Sequence, residues 1–233
     1  WNDDGIECQC HNTNTSFTPS RQSLVQSHHT KAPSDMYGKG RHFLGVELEV
    51  EVNGGREFGA LSAQVSIGPE RFILAEDGSL ENGFEIKSSP ATLDEHRGMW
   101  DKFFQAGMNP GLYVSYRCGM HIHISRSPLS ELQVSKICVF VNAEENREFI
   151  KLIAGRESTF SKFVPKKMGK IKENDDRREA INLRNPETVE FRIFASTLDS
   201  EVFFRNLEFV QALQEYTSPG NSSLAELYFT HFV

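Results

Sequence analysis

The sequence predicts an α+β fold built on a largely antiparallel sheet, and two patterns carry that reading. Short segments with an apolar–polar period of two recur along the chain, and helical patterns fall between them in pairs rather than in strict β-α alternation. A third observation supplies the core: 18 phenylalanines among 233 residues, within a hydrophobic content of 38%, give the elements large groups to close around. A chain of this length buries roughly 70% of its unfolded surface. A peptide-sized scaffold and a wholly disordered tail are thereby excluded.

Residues 1–40 are rich in Asn, Ser, Thr, Gln, Asp and Gly and sustain neither period, so they read as a polar arm ahead of a domain spanning 41–233. Within the arm, Cys8, Cys10 and His11 match half of a zinc ribbon, to be completed by residues upstream of Trp1 or by His28 and His29; an exposed polar arm is the competing reading. The strand pattern begins at 43–52, where Val46, Leu48 and Val50 alternate with Glu47, Glu49 and Glu51. Further strands are expected at 71–75, 83–88, 112–116, 119–125, 180–183 and 188–194. Helical patterns fit 93–106, 130–154 with a break near Glu144, and 199–216, where Val202, Phe203, Leu207, Val210 and Leu213 form a stripe. Thr92 and Asp199 are the expected caps.

Charge narrows the classes of function. Lys+Arg 25 against Asp+Glu 32 gives −7, which disfavours duplex nucleic acid, whose binding rests on phosphate neutralisation. No apolar run approaches the roughly 20 residues of a membrane span, so the chain reads as soluble and cytoplasmic. Four cysteines are too few for a disulfide scaffold, and Cys138 reads as a small buried hydrophobe. The chain opens on Trp1 and stops in the apolar stretch 227–233, which reads as a fragment or a processed form.

The strands place their ionisable residues on one side. Glu47, Glu49 and Glu51 share a face, as do Glu85 and Lys87, His121 and His123, and Glu190 and Arg192. A solvated sheet face is the ordinary reading of each strand alone. A solvated face usually mixes Lys, Thr, Gln and Ser, however, whereas these strands repeat Glu and His. Neighbouring carboxylates repel, and a divalent cation removes the conflict, since carboxylate oxygen and neutral imidazole are ligands for Mg²⁺ or Mn²⁺. The face therefore reads as a metal site that approaches neutrality only with the ion bound. The His-x-His pair is not specific by itself, because it also occurs in hydrolases; the Glu that a cupin-type site needs shortly after it is absent, Ser127-Pro128 standing there.

Five motifs in order resemble a known family: Gly45-Val46-Glu47-Leu48-Glu49, Asp77-Gly78-Ser79-Leu80, Gly83-Phe84-Glu85-Ile86-Lys87-Ser88-Ser89-Pro90, Gly119-Met120-His121-Ile122-His123-Ile124-Ser125, and Asn185-Pro186-Glu187-Thr188-Val189-Glu190-Phe191-Arg192. Over residues 41–210 the chain is similar to the amidoligases of the carboxylate–amine ligase superfamily, many of them phage-encoded. The resemblance implies a curved, glutamine synthetase-like sheet forming a funnel, with ATP and Mg²⁺ entering one end. It implies Glu47, Glu49, Glu85, His121 and Glu190 as metal ligands, with His123 as a further ligand or substrate contact, and Arg192 facing the transferring phosphoryl group. Asp77 would position the amine or a metal-bound water, or simply form a turn.

The implied reaction is ATP-dependent amide formation through an acyl phosphate, joining a carboxylate and an amine carried by a peptide or protein. Lys162, Lys166, Lys167, Lys170, Lys172, Arg177 and Arg178 cluster around Gly169, and read either as a solvated mobile loop or as a lid on the phosphates, with Arg178 and Asn182 nearest the site and Lys87 on the sheet. No Gly-x-x-x-x-Gly-Lys-Ser/Thr loop is present, so nucleotide would be held by metal and arginines. Two other readings stay open: a catalytically silent structural or adaptor protein of the same fold, associated with a larger assembly such as a phage particle, and a metal-dependent hydrolase built on the His pair.

Overall fold

The structure is a computed structural model that describes residues 23–67, 70–105, 111–156, 161–168, 170–171 and 176–223. The zinc half-site of Cys8, Cys10 and His11, the 227–233 stretch, Gly169 and Lys172 lie outside the described residues. In chain order the elements are β1 (Val25–Gln26), β2 (Leu44–Val52), α1 (Arg56–Ile67), β3 (Phe72–Ala75), β4 (Gly83–Ser88), α2 (Leu93–Gln105), β5 (Leu112–Tyr113), β6 (Gly119–Ser125), α3 (Glu131–Asn142), α4 (Arg147–Ala154), β7 (Ile181–Asn182), β8 (Thr188–Ala195) and α5 (Ser200–Tyr216). The strands form one sheet in the order β1-β3-β4-β2-β6-β8-β7, with β5 also pairing β2. Every pairing is antiparallel except β1 with β3. The fold is thus α+β, as the periodicity predicts.

β2 is a central strand, and its alternation decides the layering. Val46, Leu48 and Val50 are buried with Ile86 of β4, Met120, Ile122 and Ile124 of β6, and Phe191 of β8 in one core. Helices supply the cover: Trp100 of α2 meets Phe203 of α5 at 4.7 Å between ring centroids and Phe72 of β3 edge-on at 4.9 Å. Much of the phenylalanine count is spent on this layer.

The predicted helices form, and the expected cap at Asp199 is made. Asp199 caps α5, its carboxylate accepting from the Glu201 and Val202 amides, and Ser130 caps α3 by accepting from Gln133 N. The 130–154 pattern breaks at a 3-10 turn, Glu144–Asn146. Thr92 precedes α2 and its carbonyl accepts from His96 N.

Two elements escape the sequence reading. α1 carries Gly59 and a stripe only of Ala60, Ala63 and Ile67, too weak to stand out. β1, two residues long, places part of the polar arm on the sheet edge, because a pair of residues shows no period. Among the described residues no helix is long and apolar enough to cross a membrane.

His96 staples α2 to the sheet, its Nε2 lying 2.8 Å from the Leu44 carbonyl. Burial pushes its pKa down from 6.5 to about 4, and the Leu44 carbonyl only partly opposes this. The unfolded chain therefore binds a proton that the folded one refuses. The stability from neutral His96 is complete above pH 6.5 and is lost as pH falls toward 4, up to about 3 kcal/mol. Between pH 7 and 4.5 in urea unfolding, the parent is expected to lose about 2 kcal/mol more than His96→Gln; parallel losses would refute this.

Candidate functional site

Four adjacent strands bring the ionisable residues together. Glu47 stands opposite Lys87 on β4 and His121 on β6, Glu49 stands opposite Glu85, and His123 stands opposite Glu190 on β8. The pairing of β6 with β8 is irregular between Met120 and Ile122, whose partners are Phe194 and Phe191. Arg192 and Ile193 together face His121, as in a β-bulge. Phe191 and Phe194 thereby both reach the core while Arg192 turns to the polar face.

This face is not a wet one. Glu49 is 4% exposed, Glu85 5%, His121 4%, Glu190 6% and Lys87 8%, and Glu47, His123 and Arg192 are half-buried. His121 sits between three carboxylates, its Nδ1 3.4 Å from Glu47 and 3.7 Å from Glu190, and its Nε2 3.7 Å from Glu49. His123 Nε2 lies 3.6 Å from Glu47 Oε1, buried and without a hydrogen-bond partner, while its Nδ1 lies 3.3 Å from the Thr188 hydroxyl. Lys87 bonds Glu85 at 2.7 Å and reaches Glu47 at 3.9 Å. Arg192 is paired with Glu190, whose other oxygen accepts from Asn182 Nδ2 at 2.6 Å.

Proton affinities follow from this packing. Burial alone would raise the Glu47 carboxyl, but the neighbouring His123 and His121 imidazoles outweigh it and hold Glu47 well below the usual carboxylate range. Burial, then the charge of Glu47, pushes Glu85 up to about 8 against the pull of Lys87. Burial opposes charge on His123 and Lys87, yet the neighbouring carboxylates raise both. Burial also raises Glu49, although His121 works against it.

Lys87 and Arg192 lie on the same face as the carboxylates, Lys87 ion-paired with Glu85 and Arg192 with Glu190. Strand alternation shows which side chains share a face, and the cations lie on that face too.

A cavity of about 600 Å³ opens above the cluster, lined by Glu47, Glu49, Glu85, Lys87, His121 and Arg192. Asp77, Arg178 and Asn182 also line it. Asp77 Oδ1 accepts from the Ser79 amide at 2.7 Å and from its hydroxyl, so the turn-forming role is the one the geometry displays. A second cavity, of about 1160 Å³, shares Glu47 and Lys87 with the first and includes His123. Glu47, His123 and Glu190 each offer a ligand atom within 4.8 Å of the others. That donor set and the unpartnered His123 Nε2 fit a divalent cation.

Strand periodicity misses Arg156, which follows the left-handed Gly155 cap of α4 and also lines the first cavity. Its guanidinium donates to the carbonyls of Cys118 at 3.1 Å and Arg192 at 3.3 Å. A Cβ on Gly119 would fall 2.3 Å from Arg156 Nη2. The signal in the sequence is thus the glycine before Met120-His121, legible only once its neighbour is known.

No protein-family model matches the chain, and no curated protein sequence matches it.

Two glycine substitutions distinguish the packing constraints. At Gly83 a Cβ would meet the Val50 carbonyl oxygen at 2.2 Å, and backbone cannot yield as a side chain can. Gly83→Ala is expected to cost about 3 kcal/mol in urea unfolding, whereas Gly119→Ala costs under about 1 kcal/mol and displaces the Arg156 guanidinium in a crystal structure of the variant. Equal losses would contradict this.

Proposed function

We propose that the chain is an ATP- and Mg²⁺-dependent carboxylate–amine ligase of the amidoligase type, acting on a peptide or protein. One observation carries the reading: the buried carboxylates Glu49 and Glu85, with Glu47 and the His121 imidazole, line a cavity that is also lined by Arg117, Arg156, Arg177, Arg178 and Arg192. Carboxylates alone would repel nucleotide, and arginines alone would need no such carboxylates. A triphosphate with its cations satisfies both.

Glu47, His123 and Glu190 would hold a divalent ion, with Glu49, Glu85 and His121 as further donors. Bound there, the ion would neutralise phosphate charge and orient in-line transfer. Arg192, on β8 two residues after Glu190, would stabilise charge on the transferring phosphoryl oxygens. The substrate carboxylate attacks the γ-phosphorus, ADP leaves, and an acyl phosphate forms; the amine then displaces phosphate and loses a proton to give the amide. The second cavity offers room for the substrate, because it reaches the first at Glu47 and Lys87. The expected setting is the cytoplasm, that of the host for a phage-encoded chain.

The pairing of Lys87 with Glu85 and of Arg192 with Glu190 favours a second reading, a silent protein of the same fold whose cations replace the metal. Mn²⁺ titration followed by electron paramagnetic resonance separates the two. Binding to the parent, weakened about tenfold or more in Glu47→Gln and Glu190→Gln, supports the ligase; no binding supports the silent protein. With Mg²⁺–ATP and pooled peptides and amines, the ligase releases ADP beyond a Glu190→Ala control. Turnover without ATP, together with stoichiometric Zn²⁺ or Fe²⁺, would instead mark a hydrolase.

A further inference from the structure

The basic segment after α4 is tied to the body of the protein. Lys166 and Glu179 form an ion pair at 2.7 Å with side chains only 4% and 2% exposed. Glu179 ends a turn, Asp176-Arg177-Arg178-Glu179, closed by its amide donating to the Asp176 carbonyl at 2.9 Å. Asp176 stiffens the turn from inside: its carboxylate accepts from Arg178 N at 3.1 Å and meets Lys162 Nζ at 3.4 Å.

The turn is also fastened to the catalytic sheet. Lys162 N donates to Arg178 O at 2.7 Å, Ala180 N to Lys162 O at 2.8 Å, and Arg192 N to Ala180 O at 3.0 Å. Its two corner positions are both arginine, and both line the first cavity. A buried ion pair contributes little net stability, since desolvation offsets the attraction and apolar replacements of similar volume are often tolerated. What such a pair does supply here is direction, because it fixes the base of a turn whose tip carries two guanidinium groups.

We propose that Lys166–Glu179 is a positioning pair that presents Arg177 and Arg178 as a two-pronged clamp for the phosphate chain of a nucleoside triphosphate, a role that rests on the ATP reading of the cleft. The phosphates would be gripped within the cavity that Glu47, Glu49 and Glu85 also line, with planar guanidinium groups matched to phosphate oxygens.

Titration calorimetry of the full chain with inorganic tripolyphosphate, at low salt and without divalent ion, tests the clamp. Arg178→Ala should weaken binding about tenfold in the parent but less than about twofold in a Lys166→Met background, while Arg156→Ala costs the same in both. Lys166→Arg should restore the sensitivity to Arg178→Ala. Should Lys166→Met fail to fold, Lys166→Met/Glu179→Leu removes both charges and should show the same loss of coupling. An equal Arg178→Ala penalty in both backgrounds, or none in the parent, overturns the clamp. Intact coupling without ADP release in any substrate pool would overturn the ligase reading and leave the clamp standing.

Discussion

A central strand has to bury both of its faces, and in β2 one of those faces is acidic. Hydrophobic packing solves the first problem, with Leu48 and Val50 fully enclosed beneath the helices. The second has an electrostatic solution only: a carboxylate removed from water must find a cation, a donor or a proton. Glu47 finds His121, His123 and Lys87, Glu85 finds Lys87, Glu190 finds Arg192 and Asn182, and Glu49 accepts from the Gly119 amide at 2.5 Å. Strand order, the bulge on β8 and the placement of Arg156 all serve that requirement.

The resulting cluster is poised rather than inert. Its cations are side chains, and side chains can be displaced by a better ligand, whereas its carboxylates are held by backbone in a nine-residue strand and its neighbours. His123 Nε2, 3.6 Å from Glu47, is buried without a hydrogen bond, and there the internal pairing is loosest. The two cavities share Glu47 and Lys87, so both open onto this carboxylate and its cation. The short edge strands β1 and β7 expose few unpaired backbone groups, which limits edge-to-edge association.

Most of the sheet was legible because period-two alternation survives in any strand long enough to show it. The pattern predicts strands over 112–116 and 180–183 where β5 and β7 span only Leu112–Tyr113 and Ile181–Asn182, because apolar character continues past the last ladder hydrogen bond. α1 was silent because alanines can line a helix face without announcing it. Among the site residues, Glu47, Glu49, Glu85, Lys87, His121, His123, Glu190 and Arg192 could be found from strand parity. Arg156 and the turn that carries Arg177 could not, since both reach the cavity from loops that no period describes.

By itself, then, the sequence determined which side chains share a strand face, because that is a property of covalent geometry and needs no partner. Tertiary structure alone decided that the four strands are neighbours in one sheet, that their charged face is buried, and that Lys87 pairs with Glu85 and Arg192 with Glu190 within it. Those facts depend on register, on a bulge and on contacts between residues far apart in the chain, and local pattern carries no record of them.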